Sequence, residues 1–165
     1  MRRIAVVLMS AVFGVAMAAT PAFADSPHFL YADNSVSSST GALTTSFKDA
    51  GLGTGTTSIQ ITLTVANATA VYQCFNNGGN HPKAGNKETV STSLSTTGNF
   101  PVRHGQTTAS LTVGPPSPGD FSCPSGQSLF LQEVTYSGTY VSDETGNSFH
   151  ATPDPISSGP IHVKV

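Results

Sequence analysis

The chain has 165 residues, with 7 Lys or Arg against 9 Asp or Glu, 2 Cys and no Trp, and its formal net charge is −2. So few cations argue against binding to nucleic acid, because neutralising phosphates takes clusters of Lys and Arg. The length suits one domain with a substantial core rather than two ordinary domains.

The first 24 residues have the three parts of a secretory signal peptide. Arg2 and Arg3 give a positive start, residues 4–18 are almost wholly apolar or small, and residues 22–24 form an A-x-A processing site. We expect cleavage before Asp25, export, and a single domain over residues 25–165 with 5 Lys or Arg against 9 acidic residues. An uncleaved membrane anchor is the alternative. The mature chain has no second long apolar run and no polybasic patch, so we expect no membrane association after the signal is removed.

Apolar and polar residues alternate repeatedly along the mature chain, which is typical of β-strands with one buried face. The clearest run is 58–65, where Ile59, Ile61, Leu63 and Val65 share one face. Shorter alternations predict strands around residues 43–47, 90–94, 109–113 and 161–165. No segment sustains a helical period. The sequence therefore predicts a single antiparallel β-sandwich, immunoglobulin-like or Greek-key, of about seven to nine strands.

Two runs change phase part-way along. The buried set moves from odd to even positions near Ala66-Asn67, and a second slip occurs at Gln132-Glu133. A period of two cannot change parity without an extra residue, so each slip predicts a bulge, a bend or a turn. Our interpretation is that these long strands pass from one sheet to the other. A tight turn that splits each run into two strands is the alternative.

The two cysteines of an exported chain predict a disulfide between Cys74 and Cys123. The closed loop of about 50 residues stabilises the fold by about 4 kcal/mol in the chain-entropy model. A catalytic thiol at Cys74 with a histidine base is the alternative. The disulfide would place the two longest irregular stretches, 76–87 and 114–127, at one end of the sandwich, where we expect a binding site. Its candidate residues are Asn77, His81, Lys83, Asn86 and Lys87.

A second group of polar residues follows the last long strand. Asp143, Glu144 and Asn147 offer oxygen ligands for calcium, although the full spaced ladder of a calcium loop is absent. A hairpin turn explains the same residues. Nucleophile, phosphate-cradle and zinc-protease motifs are also absent, so the sequence predicts no catalytic residues, no metal and no cofactor. Tyr72 and Tyr136 fit the core faces and are expected to be buried.

Several segments around the cysteines resemble small, uncharacterised secreted proteins of actinobacteria. The likeness spans about residues 47–143, and its most specific parts are Tyr72-Gln73-Cys74, Asn77-Gly78-Gly79, residues 82–87, residues 123–127 and residues 133–136. The resemblance implies an actinobacterial, extracellular setting and carries over no activity and no functional residues. The architecture is similar to immunoglobulin-like sandwiches, but the chain lacks their core Trp and has Phe121 two residues before the second cysteine.

These observations predict an exported, non-catalytic protein that acts by binding or by structure, extracellularly or at the cell surface. Its partner would be an unknown protein or a cell-wall or polysaccharide ligand. A secreted inhibitor of an extracellular protease is one alternative, because the proline-rich segment 115–118 lies close to Cys123 and could present a rigid loop. A small secreted hydrolase is the other, and it would need a pocket with two carboxylates or a histidine beside a carboxylate.

Overall fold

The structure, a computed structural model, describes residues 26–76 and 82–165, with side chains throughout except at residues 82–85. The predicted signal peptide, Asn77 and His81 lie outside the described residues, and only the backbone of Lys83 is described. Within the described ranges, no helix is long and apolar enough to cross a membrane.

The described part of the chain folds into nine β-strands. They are β1 (His28–Val36), β2 (Leu43–Ala50), β3 (Ser58–Asn76), β4 (Pro82–Pro101), β5 (Gln106–Val113), β6 (Gln127–Asp143), β7 (Ser148–His150), β8 (Ile156–Ser157) and β9 (Val163–Lys164).

These strands form two antiparallel sheets packed against each other, which confirms the predicted β-sandwich. The first sheet has the order β1-β2-β5, and the second has the order β4-β3-β6-β7, with β8 and β9 pairing further along β6. Strands β3, β4 and β6 contain 19, 20 and 17 residues, against 8 or 9 in the strands of the first sheet. The second sheet therefore extends beyond the first, and the extension is where the disulfide lies.

The alternation seen in the sequence is confirmed by the burial of the strands. The four apolar residues of the first half of β3, residues 59, 61, 63 and 65, are at most 2% exposed, while the residues between them are half-buried or exposed. Phe47 of β2 packs on the same core. Tyr72 and Tyr136 are also buried, as predicted, and the Tyr136 hydroxyl donates to the carbonyl of Gly41 at 2.6 Å.

Both predicted phase slips are bulges inside continuous strands. The pairing of β3 with β4 shifts between Val65 and Ala68, and the pairing of β3 with β6 shifts opposite Gln132. The interpretation that these strands pass between the sheets is wrong, because β3 pairs with β4 and β6 on both sides of each slip. The extra residue instead resets the alternation, so that one long strand keeps its apolar side inward past the irregularity.

A polar cluster inside the core joins the two sheets. The side-chain amide of Asn34 on β1 donates to the hydroxyl of Thr139 on β6 at 2.7 Å and to the carbonyl of Pro153 at 3.1 Å. Its oxygen accepts a hydrogen bond from Thr45 on β2 at 2.6 Å. All three side chains are buried, so each finds inside the protein the partners that water would otherwise supply.

The disulfide is formed as predicted, with a Cα–Cα distance of 5.7 Å between Cys74 and Cys123. It connects the end of β3 to the long loop between β5 and β6. The predicted irregular stretch 76–87 is shorter than expected, because β4 already begins at Pro82. Residues 82–87 therefore continue the sheet, and the sequence missed this because Pro, Gly and Lys are poor strand formers.

Candidate functional site

The disulfide end of the sandwich places only some of the predicted binding residues where the structure describes them. Asn86 lies on β4, where its amide donates to Gln127 at 2.8 Å, and Gln127 in turn donates to Asn76 at 3.3 Å. These hydrogen bonds connect the ends of β3, β4 and β6. The side chain of Asn86 therefore helps to hold the three strands together. Lys87 is exposed on the same strand.

The loop between β5 and β6 is held firmly at this same end. The Tyr72 hydroxyl donates to the carbonyl of Pro116, which is buried, and Cys123 ties the loop to β3. Between these two attachments, Ser117, Gly119 and Asp120 face solvent or lie at its edge. The loop is therefore a pinned segment with a short exposed crest.

The turn after β6 accounts for the residues considered as calcium ligands. The carboxylate of Asp143 accepts four hydrogen bonds, from the amide and hydroxyl of Thr145 and from the amide and side-chain nitrogen of Asn147. The lone pairs of Asp143 point at N–H and O–H donors, and Asn147 presents its nitrogen to that carboxylate. Glu144 accepts a hydrogen bond from the backbone of Gln60. The described residues contain no group of three side chains suited to a metal ion.

A pocket of about 320 Å³ opens at the opposite end of the sandwich from the disulfide. Its lining residues come from two places. The first sheet supplies Lys48, Gln106, Thr107 and Thr108, and the end of β4 with the connection to β5 supplies Pro101, Arg103 and His104. Lys48 and Thr108 are register partners on β2 and β5, and both point away from the core. The volume falls at the lower end of the range for small-molecule sites.

The β4–β5 connection is a tight hairpin that presents two of the pocket residues. Arg103 and Gln106 exchange backbone hydrogen bonds of 2.9 and 3.2 Å, so His104 and Gly105 form a two-residue turn. Both have positive φ, 53° and 71°, which defines the type I′ turn that usually contains Asn-Gly. Histidine is tolerated in this conformation at a cost of about 1 kcal/mol. The turn thus accepts some strain while carrying an imidazole at the mouth of the pocket.

The pocket brings two cationic side chains and an imidazole together. It contains Lys48 and Arg103, two of the five Lys and Arg residues that follow the predicted signal peptide, together with an imidazole. Its lining includes no Asp or Glu, although the chain as a whole is acidic. Gln106 and Thr108 add an amide and a hydroxyl group that can donate or accept hydrogen bonds. This combination suits a ligand with a negative group and neighbouring hydroxyls.

Two carboxylates lie close together inside the same end of the sandwich. Asp49 is fully buried, and neither of its carboxylate oxygens has a hydrogen-bond partner within the described residues. Burial, and after it the negative charge of Asp143, raise the pKa of Asp49 from 3.8 to about 6. Asp143 is 7% exposed. Neither carboxyl lines the pocket, so the pair has no route to a substrate there.

No family model, curated protein or solved structure matches the chain. The resemblance to secreted actinobacterial proteins therefore stays a prediction, and the pocket is judged on its own chemistry.

Sequence reasoning missed the pocket, although part of its signal was present. The His104-Gly105 pair is a turn signal, and Arg103 directly precedes it. Lys48 falls on the polar phase of the β2 alternation, which marks it only as a solvated residue. The two cations are 55 positions apart in the numbering, and the pairing of β2 with β5 is what brings them together.

Proposed function

We propose that the protein is an exported, non-catalytic β-sandwich module that binds an anionic ligand outside the cell or at its surface. The observation that carries this proposal is the pocket lined by Lys48, Arg103 and His104 in an otherwise acidic chain. The amino-terminal pattern supports export, and the disulfide suits an oxidising compartment. The chemical class of the ligand is a carboxylate or phosphate carried by a sugar or another polyol, as in acidic polysaccharides of a cell wall.

The charge and the hydroxyls of such a ligand have matching groups in the pocket. Arg103 can hold a carboxylate or phosphate through two parallel N–H donors, and Lys48 adds a second positive charge. Gln106 and Thr108 can exchange hydrogen bonds with ligand hydroxyls. The pocket volume of about 320 Å³ exceeds what a bare anion fills and suits one sugar unit.

The strand order also supports an immunoglobulin-like arrangement as part of this proposal. If β1, β2, β3 and β4 are lettered A, B, C and C′, and β5, β6 and β7 are lettered E, F and G, the sheets are A-B-E and G-F-C-C′. The disulfide differs from that of antibody domains, because it joins strand C to the E–F connection rather than B to F.

The test is a titration followed by NMR. Glucuronate and glucose 6-phosphate are added to the protein, with glucose as the uncharged control of the same ring. We expect the two anions, and not glucose, to shift the backbone amide signals of residues 103–108. Binding should weaken about tenfold or more in Lys48→Gln/Arg103→Gln, since each charged hydrogen bond contributes about 1.5–3 kcal/mol.

Two further variants test whether the anion binds in the pocket itself. Lys87→Gln removes the same kind of charge at the disulfide end and should leave binding unchanged. His104→Asn keeps a residue that favours the turn and removes the ring, so it should weaken binding without weakening the fold. Equal shifts with glucose, or loss of binding in Lys87→Gln but not in the pocket variant, would overturn the assignment of the site.

A secreted protease inhibitor is a second candidate, favoured by the pinned loop between β5 and β6. The attachments through Tyr72 and Cys123 hold its crest in one conformation, which lowers the ordering cost of entering a protease cleft. Inhibition of a representative serine, cysteine, aspartic or metalloprotease by micromolar protein would support it, and no inhibition of any class would exclude it. The hydrolase alternative lacks support in the described residues, because the pocket has no carboxylate and the carboxylate pair is buried.

A further inference from the structure

The two long sides of the sandwich are closed to different extents. On one side, β1 is joined to the segment after β7: the amide of Asn34 donates to the carbonyl of Thr152 at 2.8 Å, and the amide of Thr152 donates to Ala32 at 2.9 Å. This bridge links the two sheets. On the other side, the Arg103–Gln106 turn joins β4 to β5 at one end only, and no described strand pairs beyond β4 or β5 along the rest of that side. The sandwich therefore has one sealed side and one open side.

The central stretch of β4, Thr89–Asn99, lacks the features that usually protect an edge, while charges and prolines lie on either side of it. Proteins discourage pairing at a sheet edge with charges, prolines, bulges or short strands. β4 is 20 residues long, and from Thr89 to Asn99 it contains neither a charged residue nor a proline. The extra residues of the nearby bulge belong to β3, since Leu94 and Thr92 of β4 pair on either side of it. The open edge is therefore regular and uncharged over the 11 residues from Thr89 to Asn99.

The side chains of β4 are complementary to themselves. Its outward row consists of five exposed hydroxyl residues, Thr89, Ser91, Ser93, Ser95 and Thr97. Two of them already form hydroxyl pairs across to β3, Thr97 with Thr62 and Ser91 with Thr69, each at 2.9 Å. Because a hydroxyl both donates and accepts, a row of hydroxyls can pair with an identical row.

The inward side of β4 has apolar side chains that the core covers only in part. Val90, Leu94 and Phe100 pack against the core but remain half-buried. They lie on the open side of the sandwich, where β5 is the facing edge. Covering them with more apolar surface would be favourable by about 25 cal/mol for each Å² removed from water.

We propose that the β4 edges of two copies of this chain pair antiparallel about a twofold axis within Thr89–Asn99, making one continuous sheet across the dimer. A second copy fits this edge because a twofold axis places equal faces side by side. Hydroxyl row then meets hydroxyl row, and the inward rows of the two copies, which include the half-buried Val90 and Leu94, meet on the other face of the sheet. Lys87 and Glu88 of each copy fall outside the paired stretch, so no like charges are brought together. The pairing does not depend on the anion pocket.

The oligomeric state of the purified protein tests this pairing. Sedimentation equilibrium from about 1 µM to about 1 mM covers the affinities of weak and moderate interfaces. We expect reversible dimers in the wild type. Ser93→Lys/Ser95→Lys should weaken dimerisation at least about tenfold, since it puts lysines of the two copies opposite each other. Ser38→Lys/Ser46→Lys is the matched control, because it adds the same charge at two exposed serines away from β4, one in the β1–β2 turn and one on β2.

Hydrogen exchange keeps the test decisive if the β4 variant fails to fold. In the wild type, alternate amides between Thr89 and Asn99 should gain protection as the protein concentration rises. These are the backbone N–H groups that point away from β3, toward the free edge, and pairing would use them as donors. A monomer over the whole concentration range would overturn the proposal. So would a dimer whose β4 amides gain no protection, or one that the control variant disrupts as strongly as the β4 variant.

Discussion

The buried carboxyl of Asp49 makes a specific prediction about stability and pH. Its pKa in the folded protein is about 6, raised from 3.8 chiefly by burial and then by Asp143. A raised pKa means that the fold tolerates the protonated form and opposes the charged one. The contribution of protonated Asp49 to the free energy of unfolding is therefore complete below about pH 4, and it is lost as the pH rises through 6. Asp49→Asn imitates the protonated side chain at every pH.

The size of the effect follows from the two pKa values. The difference between 3.8 and about 6, at about 1.4 kcal/mol per pH unit, corresponds to about 3 kcal/mol of lost stability once Asp49 is fully charged. About 2.5 kcal/mol of this develops between about pH 4 and about pH 8. Protonated Asp49 can donate to Asp143, and the amide of the asparagine variant can do the same.

The assay is urea unfolding of the wild type and Asp49→Asn across this pH range. We expect the free energy of unfolding of the variant, relative to that of the wild type, to rise by about 2.5 kcal/mol from about pH 4 to about pH 8. Any packing difference between the two side chains is independent of pH and cancels. Asp33→Asn, which makes the same change at an exposed position on β1, is the control for removing a carboxylate without burial. A flat difference for Asp49→Asn would refute the reasoning.

Three other predictions concern the staple, a bulge and the amino terminus. Cys74→Ala/Cys123→Ala should lower the free energy of unfolding by about 4 kcal/mol in urea titrations, and a loss below about 1 kcal/mol would contradict the chain-entropy account. Gly138→Ala should lower the free energy of unfolding by more than about 2 kcal/mol in the same assay. Gly138 has φ +64°, and an added Cβ would lie 2.7 Å from the Cβ of Ala66 in the β3 bulge. Its control is Gly119→Ala, with φ +61° and no atom within 4 Å, so only the backbone strain of about 1 kcal/mol should appear; equal losses would deny the steric term. Mass spectrometry of protein secreted by a host cell should show a chain that begins at Asp25, and an intact Met1 would remove the signal-peptide interpretation.

The sequence predicts the fold well where apolar and polar residues alternate strictly. The first half of β3 is the best example, because its apolar positions coincide with the core positions of the structure. Both bulges were located correctly, but their consequence was not: parity shows that a residue is inserted and says nothing about which strands pair beside it. β1 escaped notice because the buried Asn34 interrupts its apolar face and a register shift lies near its start.

The candidate site was harder to predict than the fold. The predicted loop residues are polar side chains close to the disulfide in sequence, and two of them, Asn77 and His81, lie outside the described residues. The pocket depends on side chains from β2 and from a turn, and each is ordinary alone. A lysine on a polar strand face and an arginine before a turn look solvated until sheet pairing places them together.

The hydrogen bonds of Asn34 have a consequence for how the layers align. Apolar side chains attract one another in almost any arrangement. A purely apolar core would therefore let one sheet shift over the other at a modest cost in free energy. Shifting one sheet by one residue relative to the other would separate Asn34 from Thr139. The buried amide and hydroxyl groups would then lack hydrogen-bond partners, and no water could replace them. These three residues therefore select one relative position of the two sheets from the several that apolar packing alone would permit.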